Sequence, residues 1–169
     1  EEGKTVDDWI ALLEGDVLPE ARAEAIQGLI GALEDEDPVV RVSAADALGD
    51  LGPESAPAVP VLLETIEDEE PYVRASASET LGRIGPAAVP ALLKAFAEGH
   101  RSLRVRACVA LGGLGPDAEQ AVPALAKALE DPDAQVRVVA ARSLGQIGPA
   151  AKEAVPALIR ALEDEDLLA

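Results

Sequence analysis

The chain has 169 residues and carries 32 acidic against 14 basic side chains, a formal charge of −18. A field of that sign repels a phosphate backbone, which argues against broad nucleic-acid binding. Apolar residues make up 49%, yet Trp, Tyr and Phe occur once each, so a core has to be assembled from Ala, Leu, Val and Ile, as in closely packed helices.

No run of 18 apolar residues exists to span a membrane as a helix, and no membrane contact is expected. The single cysteine, Cys108, excludes an intrachain disulfide. The chain opens "EEGKTVDDW" and contains no Met, so its start reads as processed, excised or engineered. With no signal segment visible, a cytoplasmic location is the default expectation.

The first unit, about residues 5–35, is irregular. "AIQGLIGALEDED" at 25–37 aligns position for position with "AVPALIRALEDED" at 154–166, so residues 19–34 read as a helix. Its partner is "TVDDWIALLEG" at 5–15, which departs from the pattern and supplies Trp9, as a terminal capping repeat would.

Four regular units follow, about 36–67, 68–97, 98–130 and 131–166. They spell "ALGDLGP", "TLGRIGP", "ALGGLGP" and "SLGQIGP", with the Gly-Pro steps 33, 30 and 33 residues apart. A fixed period in this range marks a stack of repeated supersecondary units. Each unit begins with an acidic turn such as "DEDP" at 35–38, whose last acid (Asp37, Glu70 or Asp133) stands where a helix cap helps. A first helix follows, with apolar or small residues at i, i+4, i+7, i+8 and i+11, for example Val136, Ala140, Ser143, Leu144 and Ile147. The glycine of "LGP" ends it and the proline prevents continuation.

A second helix opens at Val-Pro, in "VPVLLETI", "VPALLKAF", "VPALAKAL" and "VPALIRAL". In the last copy its buried stripe reads Val155, Leu158, Ile159 and Leu162. The 30-residue interval arises because the third interhelix loop is "PAA" where the others have six residues, such as "PESAPA". A helical pair of this kind cannot cover its apolar side alone, and stacking covers it. The whole of 1–169 therefore reads as one all-α solenoid of about five helical hairpins. The last hairpin has no obvious cap.

The composite "DPxVRxxAAxALGxLGPxxxxAVPxLxxAL" resembles HEAT repeats of the short bacterial type, those of phycobilisome lyases, over roughly residues 25–166. The resemblance implies a right-handed solenoid whose second helices line a concave face that holds protein partners. The family includes enzymes, whose site residues this sequence does not match. Deoxyhypusine hydroxylase-like members hold iron through recurring His-Glu pairs, whereas this chain has one His, followed by Arg101. HEAT-like DNA glycosylases use a basic, aromatic concave face, which this sequence lacks. Phycobilin lyases share the repeat signature, but nothing here marks a pigment pocket.

Arg41, Arg74, Arg104 and Arg137 occupy one slot near the start of each first helix. A cation there opposes the helix dipole, so a structural ladder with the acidic turns is expected. Three sets lie opposite the buried stripe of the second helices. One is small (Gly28, Val61, Ala91, Ala124, Ala157), one reads Gly31, Glu64, Lys94, Lys127, Arg160, and one is acidic (Asp35, Asp68, Glu98, Asp131, Asp164). If the chain curves as the family does, Val61, Glu64, Ala91, Lys94, Ala124, Lys127, Ala157 and Arg160 form a partner-binding trough. The plainer alternative is i,i+4 pairing of Lys94 with Glu98, Lys127 with Asp131 and Arg160 with Asp164 on solvated helices.

Cys108 aligns with Ala45, Ser78 and Ala141 as a small core residue, and His100 aligns with the capping acids. No catalytic or metal-ligating constellation stands out, so no enzyme activity and no cofactor are expected. The reading is a non-enzymatic protein- or peptide-binding scaffold, expected to be part of a larger protein. The alternatives are an engineered or consensus scaffold without a native partner, and a lyase-like enzyme accessory. A monomer is expected, with the uncapped C-terminal repeat as the surface for any end-to-end association.

Overall fold

The computed structural model describes residues 4–15 and 18–161. These residues form α-helices and 3-10 turns and contain no strand. Contacts divide the chain into two compact units, Glu1–Ile84 and Gly85–Ala169. The division falls at the shortened "PAA" turn.

Unit 1 holds α1 (Val6–Ala11), α2 (Pro19–Ala32), α3 (Pro38–Leu51), α4 (Val59–Thr65) and α5 (Pro71–Ile84). Thr5 starts α1 with a reciprocal cap: its hydroxyl accepts from Asp8 N, and Asp8 Oδ2 accepts from Thr5 N at 2.8 Å. Asp37 caps α3 by accepting from Val39 N at 2.9 Å. The packing runs α1 on α2, α2 on α3, α3 on α5 and α4 on α5.

Unit 2 holds α6 (Val89–Glu98), α7 (Arg101–Gly113), α8 (Val122–Ala128), α9 (Ala134–Ile147) and α10 (Val155–Ala161). His100 caps α7, its Nδ1 accepting from Leu103 N at 3.4 Å, and Asp133 caps α9 through Gln135 N at 2.9 Å. Helices α6 and α9 pack on either side of α7, and α8 packs on α9.

Two details differ from the sequence pattern. The six-residue segments expected as loops are 3-10 helical: Gly52–Ala58, Gly115–Ala121 and Gly148–Ala154, with Gly85–Ala88 as the short version. At about 2 Å per residue, a seven-residue 3-10 turn holds its flanking helices about 14 Å apart along the chain. A second helix therefore packs more closely on the first helix that follows it across the acidic turn, as α4 on α5 and α8 on α9, than on the first helix that precedes it. The glycine of each Gly-Pro step has positive φ, from 56° at Gly52 to 70° at Gly148, a conformation that disfavours any residue with a Cβ.

The core is aliphatic. Leu29, Leu48, Leu62, Leu111, Leu125 and Leu144 are fully buried. Along α10 the expected stripe is not closed over, because no further layer follows among the described residues. Val155 and Ile159 are exposed, Leu158 is half-buried, and Leu162 lies outside the described residues.

Between first helices, the packing is drawn tight by hydroxyls. Thr80 donates to the Ala45 carbonyl at 2.8 Å, beside Gly49, and Ser143 donates to the Cys108 carbonyl at 2.7 Å, beside Gly112. Cys108 itself is fully buried, and burial pushes its thiol up to about 12, so it is protonated at neutral pH.

Candidate partner-binding groove

The arginines near the start of the first helices reach back over the preceding turn. Arg41 Nη1 donates to the Asp35 and Glu36 carbonyls at 2.8 and 3.1 Å. Arg74 does the same with Asp68 and Glu69 at 2.7 and 3.0 Å, and Arg137 with Asp131 and Pro132 at 3.0 and 3.3 Å. These carbonyls lie just past the C-terminus of the preceding second helix, where a cation is favoured. That contact offsets its poor placement in its own helix. Among the described residues, Arg41 and Arg104 reach forward to an acid of the following turn. Arg41 Nη2 donates to Asp68 Oδ1 at 2.8 Å, with Nε 2.8 Å from Oδ2 but off the hydrogen-bond line, and Arg104 Nη1 lies 2.7 Å from Asp131 Oδ2.

The hydrogen bond from Arg41 holds the Asp68 carboxyl below the usual range, reinforced by Glu70 N, against the opposing effect of burial. A depressed folded-state pKa stabilises the fold above the unfolded value of about 4, and that stability is lost as pH falls through the folded value. An acid titration followed by circular dichroism should therefore show less pH-dependent loss below about pH 4 in Asp68→Asn than in the wild type. Identical profiles would remove this pair as a source of acid lability.

Val61, Ala91, Ala124 and Ala157 are half-buried, while Glu64, Lys94, Lys127 and Arg160 are exposed. In unit 2, α6 and α8 enclose an open groove of about 590 Å³. Leu93, Phe96 and Ala97 line one side, and Ala124, Lys127 and Ala128 line the other. Arg104, Glu130, Asp131 and Pro132 complete the lining.

In unit 1 the corresponding positions, 63 residues earlier, enclose a groove of about 410 Å³. Leu33, Glu34, Asp35, Val61, Glu64, Thr65 and Glu69 line it, with the Arg41–Asp68 pair at its edge. The same register thus yields an apolar groove in one unit and an acid-lined one in the other. Of the trough residues read from the sequence, Ala124 and Lys127 meet in the first groove, and Val61 and Glu64 in the second. Ala91, Lys94, Ala157 and Arg160 line neither.

Three expectations about this face are corrected. Gly28 is not an open floor position, because a Cβ built there would fall inside the indole of Trp9. Lys4 Nζ lies 4.5 Å from the centre of that ring and 2.7 Å from Glu24. Asp68 and Asp131 do not form an open acidic row, since their side chains are 12% and 10% exposed and are held by Arg41 and Arg104.

Nor does Asp131 pair with Lys127. A partly buried arginine already holds it, which leaves Lys127 exposed and without an ion-pair partner among the described residues. Lys94 and Glu98 do approach, at 4.0 Å, but both are largely exposed. Arg160 lies 3.5 Å from Glu130, and Asp164 is outside the described residues. Sequence reasoning missed Leu93, Phe96, Ala97 and Ala128. The available signal was Phe96, the only phenylalanine, at a register where other second helices carry Leu33, Ile66 and Leu129.

Among the described residues, no group of three or more His, Cys, Asp or Glu side chains is placed to hold a metal ion. No described helix is long and apolar enough to cross a membrane.

Stacked helical pairs with grooves between successive second helices define an all-α repeat protein. The chain belongs to the HEAT-repeat family, whose model matches residues 26–104 and again 89–168. Among solved structures, one from work on the crescerin TOG domain array that regulates microtubules in the primary cilium superposes with a TM-score of 0.68. The two are 15% identical, with 92% of this chain and 75% of that one covered. The CpcE–CpcF complex of phycocyanin lyase from Nostoc sp. PCC7120 gives 0.55 at 25% identity, covering 86% of this chain and 95% of its counterpart. A structure from work on microtubule plus end tracking by XMAP215, CLIP-170 and EB1 gives 0.57 at 21%, covering 95% and 85%. Comparison with curated proteins returns no match.

Proposed function

We propose that the chain is a protein-binding HEAT scaffold that engages a partner through the exposed face of its second helices, without chemistry of its own. The observation that carries this is the open groove between α6 and α8, whose apolar walls stand beside Lys127, exposed and without an ion-pair partner among the described residues. Concave sites with apolar lining and a few polar groups are where proteins take ligands and peptide side chains.

Photo-crosslinking tests this reading. A crosslinking residue at Ala124 is expected to trap a protein from source lysate, whereas one at Gln135, on the exposed side of α9, is not. Equal capture at both positions, or none at Ala124, would sink it.

One observation favours a second reading. The complex at 25% identity, similar over most of both chains, belongs to a lyase. An accessory role in such a reaction would require a chromophore-bearing protein for capture at Ala124, and capture without one would discard it.

A further inference from the structure

The interior of unit 1 shows what a following layer covers. In α4, Val59, Leu62 and Leu63 are fully buried, and α5 packs on that helix. Thr80 of α5 also seats against Gly49 of α3, and Ser76 donates to Asp46. In α9 and α10 the same slots are bare. Val155 and Ile159 are 46% and 60% exposed, Leu158 is half-buried, and a Cβ on Gly145 would meet nothing within 4 Å. One slot changes sign. Arg142 stands where α3 has Asp46, exposed and without an ion-pair partner among the described residues. An apolar layer that carries an acid complements this face.

The chain itself holds such a surface. On α1, Asp7, Ile10 and Ala11 stand at i, i+3 and i+4 and share a side, turned away from Trp9, which lies on Gly28. Asp7 and Ala11 are exposed, and Ile10 is half-buried. The charge of the two regions is opposite. Residues 5–15 carry Asp7, Asp8 and Glu14 and no cation, whereas residues 134–161 carry Arg137, Arg142, Lys152 and Arg160 against Glu153 alone. On a chain of net charge −18, the α9–α10 region is the basic exception.

We infer that the chain stacks head to tail on itself, the outer side of α1 in one copy covering the α9–α10 face of the next. Ile10 and Ala11 meet Val155 and Ile159, and Asp7 meets Arg142. The two surfaces differ, so the contact is heterologous, and copies add in a row rather than closing at a pair. Opposite local charges fix which ends meet, while the net charge that all copies share keeps the association weak. None of these residues lines the α6–α8 groove, so the inference is independent of the scaffold reading.

Sedimentation velocity of the full chain over a concentration series tests it. The weight-average mass is expected to rise past that of a dimer. Ile159→Glu spoils the tail, and Asp7→Arg with Ala11→Arg spoils the head. Each variant should remain monomeric, with unchanged helix content by circular dichroism, since all three positions are outside the buried core. An equimolar mixture of the two should form a dimer and stop there, because one supplies an intact head and the other an intact tail. Arg142→Glu should weaken association about tenfold, and adding Asp7→Arg should restore it. Val109→Glu, at an exposed apolar position of α7, should behave as the wild type. A wild type that stays monomeric up to about 1 mM, equivalent to less than about 4 kcal/mol of binding, would overturn the inference. So would a mixture that stays monomeric, a mass that stops at a dimer in the wild type, or equal disruption by Val109→Glu.

Discussion

Replacing Leu144 with alanine is expected to cost about 2–5 kcal/mol of stability, the range for truncating a fully buried leucine. The side chain is 1% exposed in α9, which packs against both α7 and α8, so the cavity would open inside the aliphatic core of unit 2. Leu48, completely buried in α3, should behave alike in unit 1. Urea unfolding of the full chain reads the loss. Hydrogen exchange should localise it to the mutated helix and its packing partners, because repeat proteins sum local and nearest-neighbour terms. A cost below about 0.5 kcal/mol, typical of a surface site, would show that the helical phase is wrong.

The second large effect is a contrast between glycines that the repeat treats as equivalent. Gly112 and Gly145 are both the first glycine of an "LGxLGP"-type string, and both lie inside helices without positive φ. A Cβ on Gly112 would stand 2.8 Å from the Ser143 Cα and Oγ, whereas one on Gly145 would meet nothing within 4 Å. Gly145→Ala should therefore stabilise by up to about 1 kcal/mol through helix propensity. Gly112→Ala should destabilise by about 1–3 kcal/mol through overpacking of backbone against backbone. Thermal melts of the two single variants decide it. A shift of the same sign in both would mean that α7 and α9 lie farther apart than described.

Why the fold was legible and the groove less so follows from the range of each signal. Helix starts and stops are set within a few residues, by Val-Pro, by the acids at 37 and 133, and by glycines such as Gly52 with no tolerable substitute for their φ. Those features are written in the string. Partner choice among charges is not. Lys127 stands four residues from Asp131, but Arg104, 27 residues away in sequence, reaches that acid with partial burial and takes it. An exposed i,i+4 pair is worth a few tenths of a kcal/mol and yields to such competition. Likewise, the periodicity put Gly28 on an open face correctly as far as α2 alone is concerned. Only the placement of α1 over it, governed by packing, brings Trp9 there.

Among the described residues, the Thr80–Ala45 and Arg41–Asp68 partnerships recur 63 residues later as Ser143–Cys108 and Arg104–Asp131. One set lies inside each compact unit. A substitution that breaks a hydroxyl or guanidinium contact in one unit therefore leaves the matching contact of the other in place.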